Sequence, residues 1–102
     1  MVLDISADAA AYVRERGGRL WIWAAYPRLC CAGSPAWMHA AVSAPAGAAG
    51  FRRLGPPADT AGIEVLFKGL AGRQPQTLQV ALHGRRHPEV EAYWDGCLMA
   101  MP

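Results

Sequence analysis

The stretch ISADAAAYVRERGGRLWIW, residues 5–23, contains two different hydrophobic periods separated by a pair of glycines. Residues 6–16 have the pattern of a short helix, with Ser6 as its N-cap and Gly17-Gly18 as its end. From residue 19 onwards the apolar residues alternate with a period of two, which predicts a β-strand. A short helix that leads directly into a strand favours a fold with both kinds of element.

The charges of this helix agree with its predicted direction. Asp8 lies in the first turn, and Arg14 and Arg16 lie in the last turn, where they complement the helix dipole. We expect one apolar stripe to pack on the rest of the protein, formed by Ile5, Ala9, Ala10 and Val13.

The strand RLWIWAAY, residues 19–26, is apolar on both of its faces. This pattern predicts a strand that is covered on both sides, in a sandwich-like arrangement. The tryptophans of the chain are predicted to be core aromatics, since packing is the simplest role for so many large rings. They are Trp21, Trp23, Trp37 and Trp94.

Further alternating segments predict more short strands. They cover residues 36–44, 62–69 and 77–84, and a last segment, VEAYWDGCLM, follows Pro88. In the second of these segments Ile63, Val65 and Phe67 are predicted to point inward. The 102 residues are therefore predicted to form one domain, of the α+β class and mostly β, with one N-terminal helix and about five to seven short strands.

Composition and charge argue against several functional classes. The net charge is only +2, and the pairs Arg52-Arg53 and Arg85-Arg86 are interpreted as solvated loop or strand-end residues, so no nucleic-acid partner is expected. No apolar run approaches the ~18 residues of a membrane span, and the acidic N-terminal stretch is unlike a signal peptide. We expect a cytoplasmic protein without phosphate-loop, hydrolase or glycosidase motifs.

Chemical function is predicted to depend on the three cysteines. Cys30 and Cys31 are adjacent in a predicted loop, and Cys97 follows Gly96 near the C-terminus. Three roles are open for these cysteines. They are buried apolar side chains, thiolate ligands for a soft metal or cluster, or redox-active thiols. Three thiolates leave one ligand position open, which a homodimer, an outside thiol or a non-cysteine ligand would fill.

Asp95 is the candidate for that non-cysteine ligand. In an extended strand its carboxylate would project to the same face as the Cys97 thiol, two residues further on. It would then complete a mixed Cys/Asp ligand set, or it simply ends the strand. His39, His83 and His87 are interpreted as ordinary strand or strand-end residues, and not as ligands.

These features give the chain a resemblance to the HesB/IscA-like family, the A-type iron–sulfur carriers. The residues that carry it are the opening helix and strand, the CCAG motif at 30–33 and the DGC motif at 95–97. The family has one cysteine after the early strand and a C-terminal Cys-Gly-Cys. The last of these corresponds to Cys97, which lies 97 − 31 = 66 residues after Cys31.

The chain departs from the family where Asp95 stands in place of the first C-terminal cysteine. Its CC pair is more similar to a divergent HesB-like subgroup related to selenoproteins. The resemblance implies a HesB-like β-sandwich that binds iron or a labile iron–sulfur cluster through Cys30, Cys31 and Cys97, with Asp95 as a further ligand.

Such a protein would act in cluster assembly or transport and would exchange its cargo with iron–sulfur donor or acceptor proteins. This interpretation favours a carrier over an enzyme. The alternative is a thiol oxidoreductase or redox sensor that uses the Cys30-Cys31 pair, with Cys97 available to resolve the intermediate. A third reading is a domain that keeps the fold and has lost the ligand set.

Overall fold

The computed structural model of the chain describes residues 2–25, 36–47, 49–55, 62–70 and 73–100. Over these residues the chain forms one helix and eight strands. In chain order they are β1 (Val2–Ile5), α1 (Ala7–Glu15), β2 (Arg19–Ala25), β3 (Ala36–Ala41), β4 (Arg52–Arg53), β5 (Glu64–Lys68), β6 (Thr77–His83), β7 (Glu89–Trp94) and β8 (Met99–Ala100).

The predicted fold class, α+β and mostly β with a single helix near the N-terminus, is confirmed. Six of the described strands have four or more residues, within the predicted range of five to seven, and β4 and β8 add two strands of two residues each. Among the described residues, the nine-residue α1 is the only helix, and it is far too short to cross a membrane.

The helix forms for the local reasons that its sequence indicates. Ser6 is the N-cap, and its hydroxyl oxygen accepts a hydrogen bond of 3.3 Å from the backbone N–H of Ala9. The Gly18 N–H donates to the Val13 carbonyl oxygen at 2.8 Å and closes the C-terminal end. Ala9, Ala10 and Val13 are buried, as predicted.

Strand β1 precedes the helix, so the prediction that Ile5 belongs to the helical stripe is wrong. β1 pairs in parallel with β6, in a register that places Ile5 opposite Val80. A strand of four residues carries too short an alternation to be recognised locally. Its backbone is ordered by a partner more than seventy residues away in the chain.

The strands form two mixed sheets. The three-stranded sheet has the order β1-β6-β7, and the five-stranded sheet has the order β4-β5-β2-β3-β8. β2 is central in the larger sheet, since it pairs in parallel with β5 and antiparallel with β3. Both sheets and the helix contribute to one core, whose best buried large side chains include Leu20, Ile22, Phe67, Leu78 and Val80.

The tryptophans do not all lie in this core. Trp94 is 3% exposed and belongs to the core, whereas Trp37 is 42% exposed, so the prediction for Trp37 is wrong. Trp21 and Trp23 are partly buried, on the opposite face of β2 from Leu20. β2 is therefore fully covered on one face only. An apolar residue can lie on either face of a strand, and the alternation does not identify which face meets the core.

Two further boundaries differ from the prediction. β3 ends at Ala41, although the apolar pattern extends to residue 44. The pair Arg52-Arg53 forms the edge strand β4, where Arg52 lies opposite Phe67 and Arg53 opposite Leu66. Both arginines are exposed, in agreement with the sequence, but they take part in the sheet.

Candidate functional site

Cys97 lies directly after a tight two-residue turn. The Trp94 N–H donates to the Cys97 carbonyl oxygen at 2.7 Å, and the Cys97 N–H donates to the Trp94 carbonyl oxygen at 2.9 Å. Asp95 and Gly96 occupy the turn with φ values of 48° and 84°. Positive φ at both central residues is the geometry of a type I′ turn, for which Asp-Gly is a favoured pair.

Asp95 has a structural partner in this turn. Its Oδ1 accepts a hydrogen bond of 2.8 Å from the Thr77 N–H, and its own N–H donates to the Thr77 carbonyl oxygen at 3.0 Å. Asp95 and Cys97 are thus not on one face of an extended strand, as the two-residue spacing suggested. A left-handed residue followed by glycine reverses the chain, and the alternation of a strand does not apply across it.

The chain then passes from the smaller sheet to the larger one. Trp94, before the turn, is the last residue of β7 in the smaller sheet. After the turn, the Leu98 carbonyl oxygen accepts a hydrogen bond of 2.8 Å from the Met38 N–H. Met99 then pairs with Trp37 of β3 in the larger sheet. Cys97 lies two residues before Met99, and Leu98 between them is a bend in the chain. Cys97 is a free, exposed thiol. A Cβ built on Gly96 would have no atom within 4 Å, so the tip of the turn is open to solvent.

Cys30 and Cys31 lie outside the described residues, between the last residue of β2, Ala25, and the first residue of β3, Ala36. These two ends are close together, because Ala25 pairs with Trp37. Cys97 is three residues from Ala100, which pairs with Ala36, so the Cα atoms of Cys97 and Ala36 are at most about 16 Å apart.

Covalent geometry is compatible with a shared site. Cys31 is separated from Ala36 by 36 − 31 = 5 residues, which span at most about 17 Å when fully extended. This limit exceeds the largest separation of Ala36 and Cys97, about 16 Å, that chain length and strand spacing allow. The chain is therefore long enough for the CC pair to reach the exposed thiol.

The described residues alone do not form a metal site. Within residues 2–25, 36–47, 49–55, 62–70 and 73–100, no three His, Cys, Asp or Glu side chains are grouped so as to hold an ion. Cys97 is a suitable soft ligand, and Asp95 has a second carboxylate oxygen beside the one that binds Thr77. Any complete thiolate set requires Cys30, Cys31 or another chain.

His39 has an aromatic partner in the neighbouring strand. Its ring stacks on Trp23 with a centroid distance of 5.3 Å and an interplanar angle of 16°. Phe51 packs edge-on against Trp21 at 5.1 Å and against Trp23 at 6.3 Å. These four rings form a partly exposed aromatic cluster on the face of β2 and β3 opposite the core.

The turn at Asp95-Gly96, which determines the position of the Cys97 thiol, was not predicted from the sequence. The signal was present, since an Asp-Gly pair between two apolar runs is typical of a two-residue hairpin.

In comparisons with known proteins, the chain matches no family model, no curated protein and no solved structure.

Proposed function

We propose that the chain is a divergent HesB/IscA-like protein that binds ferrous iron or a labile iron–sulfur cluster for assembly or transfer to other proteins. Cys97 and the Cys30-Cys31 pair are the thiolate ligands. The observation that carries this proposal is the exposed Cys97, held by a tight turn beside β3, the strand that follows the CC segment.

The proposed chemistry follows from the number of thiolates. Three soft, anionic sulfurs suit iron, and a cluster that usually takes four protein ligands keeps one position for an exchangeable ligand. That position is filled by a thiol of the recipient protein, by a second subunit or by the free carboxylate oxygen of Asp95. Iron or a cluster bound at an exposed thiol is incompletely enclosed by the protein. Such a site suits transfer of the metal to another protein better than permanent storage.

Anaerobic reconstitution with ferrous iron and sulfide tests the proposal. We expect wild-type protein to keep iron and charge-transfer absorbance after desalting. Cys97→Ser, Cys30→Ser and Cys31→Ser should each lose most of both signals, since each removes one of three ligands. Ser34→Ala changes a residue of the same connecting segment without removing a thiol, and it should bind iron like the wild type.

The same cysteines give a second candidate function, thiol redox chemistry, which is favoured by the exposure of Cys97. In that case peroxide oxidises one thiolate to a sulfenic acid and is itself reduced to water. A second thiol then displaces the hydroxyl as another water and forms a disulfide. The test is the mass of the protein after treatment with peroxide. A loss of two hydrogen atoms per chain, together with no iron retained in the reconstitution, would favour redox chemistry over the carrier proposal.

A further inference from the structure

A second surface feature lies at the other edge of the larger sheet, far along the strand order from Cys97. It is a cavity of about 330 Å³ between β4, the end of β5 and the segment that follows β5. Its volume is in the range of small-ligand sites. The described residues that line it are Arg52, Phe67, Gly69, Leu70, Arg73 and Gln74.

Arg52 is held in place at this cavity. Its Nη2 donates to Oε1 of Gln74, and its guanidinium carbon lies 6.0 Å from the centroid of the Phe67 ring. Because this hydrogen-bond partner is a neutral amide, the contact orients the guanidinium without neutralising its charge. A side chain that is already oriented loses less conformational entropy when a ligand binds.

Arg73 is brought to the same cavity by a close approach of the backbone. Its N–H donates to the Leu70 carbonyl oxygen at 2.9 Å. A Cβ on Gly69 would lie 2.8 Å from the Arg73 carbonyl oxygen and 3.2 Å from the Phe67 ring. Only glycine therefore permits the chain to fold back so closely, and this return places a second arginine in the wall.

The charges of the cavity are unbalanced. Among the described residues that line it, two are arginines and none is acidic. Two positively charged residues that line one cavity, with no described acid beside them, favour an anionic ligand over a cationic one. The planar fork of arginine matches the oxygens of carboxylate and phosphate groups, while Phe67 and Leu70 offer apolar surface to a carbon skeleton.

We infer that Arg52 and Arg73 form a binding site for a small organic anion that carries carboxylate or phosphate groups. Gln74 orients Arg52 and contributes its amide N–H₂ as a further donor. The site is independent of the iron proposal, since it contains no cysteine and lies on β4 and β5, whereas Cys97 lies beside β3.

Titration of the full chain with three probes tests this inference. The probes are inorganic phosphate, malonate as a dicarboxylate, and malonamide as its neutral counterpart, followed by NMR at the side-chain Nε–H groups of the arginines. We expect saturable shifts at Arg52 and Arg73 with phosphate, malonate or both, and no shift with malonamide. Binding of only one of the two anions would identify the anionic group.

Arg52→Gln and Arg73→Gln should each weaken binding about tenfold or more, because each removes a charge-assisted pair of hydrogen bonds. Arg85→Gln removes an exposed arginine from the loop between β6 and β7, and it is the matched control for net charge. Backbone amide spectra establish that each variant is folded.

Three results would overturn the inference: no saturation with either anion, equal shifts with malonamide, or equal weakening by Arg85→Gln and the two cavity variants. The last of these would mean that the anions respond only to the overall charge. Loss of iron binding by the cysteine variants would not affect any of these outcomes, so the two proposals fail separately.

Discussion

Asp95 is the residue whose backbone conformation directs the chain from one sheet to the other. It has a φ of 48°, and it is the only residue other than glycine with positive φ among those that the structure describes. Asp tolerates this conformation better than most residues, and its carboxylate also binds the Thr77 N–H. A structural reason for an aspartate at this position therefore exists, whether or not it contacts a metal.

Two substitutions at Asp95 separate these roles. Asp95→Ala should lower the free energy of unfolding by about 1–2 kcal/mol, because alanine is disfavoured at positive φ and leaves the Thr77 N–H without its side-chain acceptor. Asp95→Asn keeps an acceptor and tolerates the same φ, so its stability should stay within about 0.5 kcal/mol of the wild type. Urea denaturation of both variants provides the measurement.

Asp95→Asn also bears on the ligand set. If the free carboxylate oxygen binds the cargo, this stable variant should retain less iron after reconstitution than the wild type. Unchanged iron retention would assign Asp95 to the turn alone. A loss of stability in Asp95→Asn as large as in Asp95→Ala would contradict the role of this side chain as an acceptor in the turn.

At the scale of elements, the N-terminus of α1 shows how few local contacts specify a helix. The Ser6 hydroxyl donates to Oδ1 of Asp8 at 2.6 Å and accepts from the Ala9 N–H. This hydrogen bond from Ser6 is the main reason why the pKa of Asp8 is lowered below its usual value, and the Ala9 N–H adds to the effect. Serine thus caps the helix and also stabilises the charged form of the acid.

Ser6→Ala should destabilise the protein by about 1 kcal/mol at neutral pH, since the cap is lost. It should also raise the pKa of Asp8 towards its ordinary value. Chemical denaturation and NMR titration of the carboxyl group measure the two effects. Ser43→Ala, at a serine outside the helix, serves as the control and should change neither quantity.

The pH dependence of this effect has a defined sign. The pKa of Asp8 is lower in the folded protein than in the unfolded chain, so its contribution to stability is complete above about pH 4. It is lost as the pH falls through the folded pKa. The difference in stability between wild type and Ser6→Ala should therefore become smaller in acid, and a difference that grows there would contradict this account.

For the whole molecule, stability depends on a core that both sheets share. Leu20 of the central strand β2 is fully buried, together with Val65 from the same sheet and Leu78 and Val80 from the other. Neither sheet buries its apolar face without the other. Cooperative unfolding of both sheets follows from this arrangement.

Leu20→Ala should cost about 2–5 kcal/mol, because it leaves a cavity where the sheets meet. Amide hydrogen exchange at Val65 and Val80, one in each sheet, should show the same loss of protection. Leu98→Ala removes the same atoms from a side chain that is 43% exposed, and it should cost much less. Loss of protection in the five-stranded sheet alone would show that the two sheets unfold independently.

Local patterns predicted α1 with its cap and its three buried residues. They also predicted β5 with the inward side chains Val65 and Phe67, and the buried Ile63 just before it. The predictions that were wrong or lacking have one cause. β1, β4 and the exposure of Trp37 depend on which distant segment of the chain lies alongside. The sequence of a short segment does not identify that partner. The candidate site is a similar case, since the motifs identified Cys97 as a candidate while its position depends on the turn and on β3.

The order of residues alone specifies whatever depends on neighbours along the chain: the capped helix, the alternation of the longer strands, and the preference of Asp95-Gly96 for a reversal. Only the tertiary structure decides which strands pair, which face of β2 is covered, and that Cys97 lies beside the strand that follows the CC segment. The reason is physical. Caps, turns and hydrophobic alternation depend on interactions within a few residues, whereas burial and strand pairing depend on contacts between parts of the chain that the sequence separates.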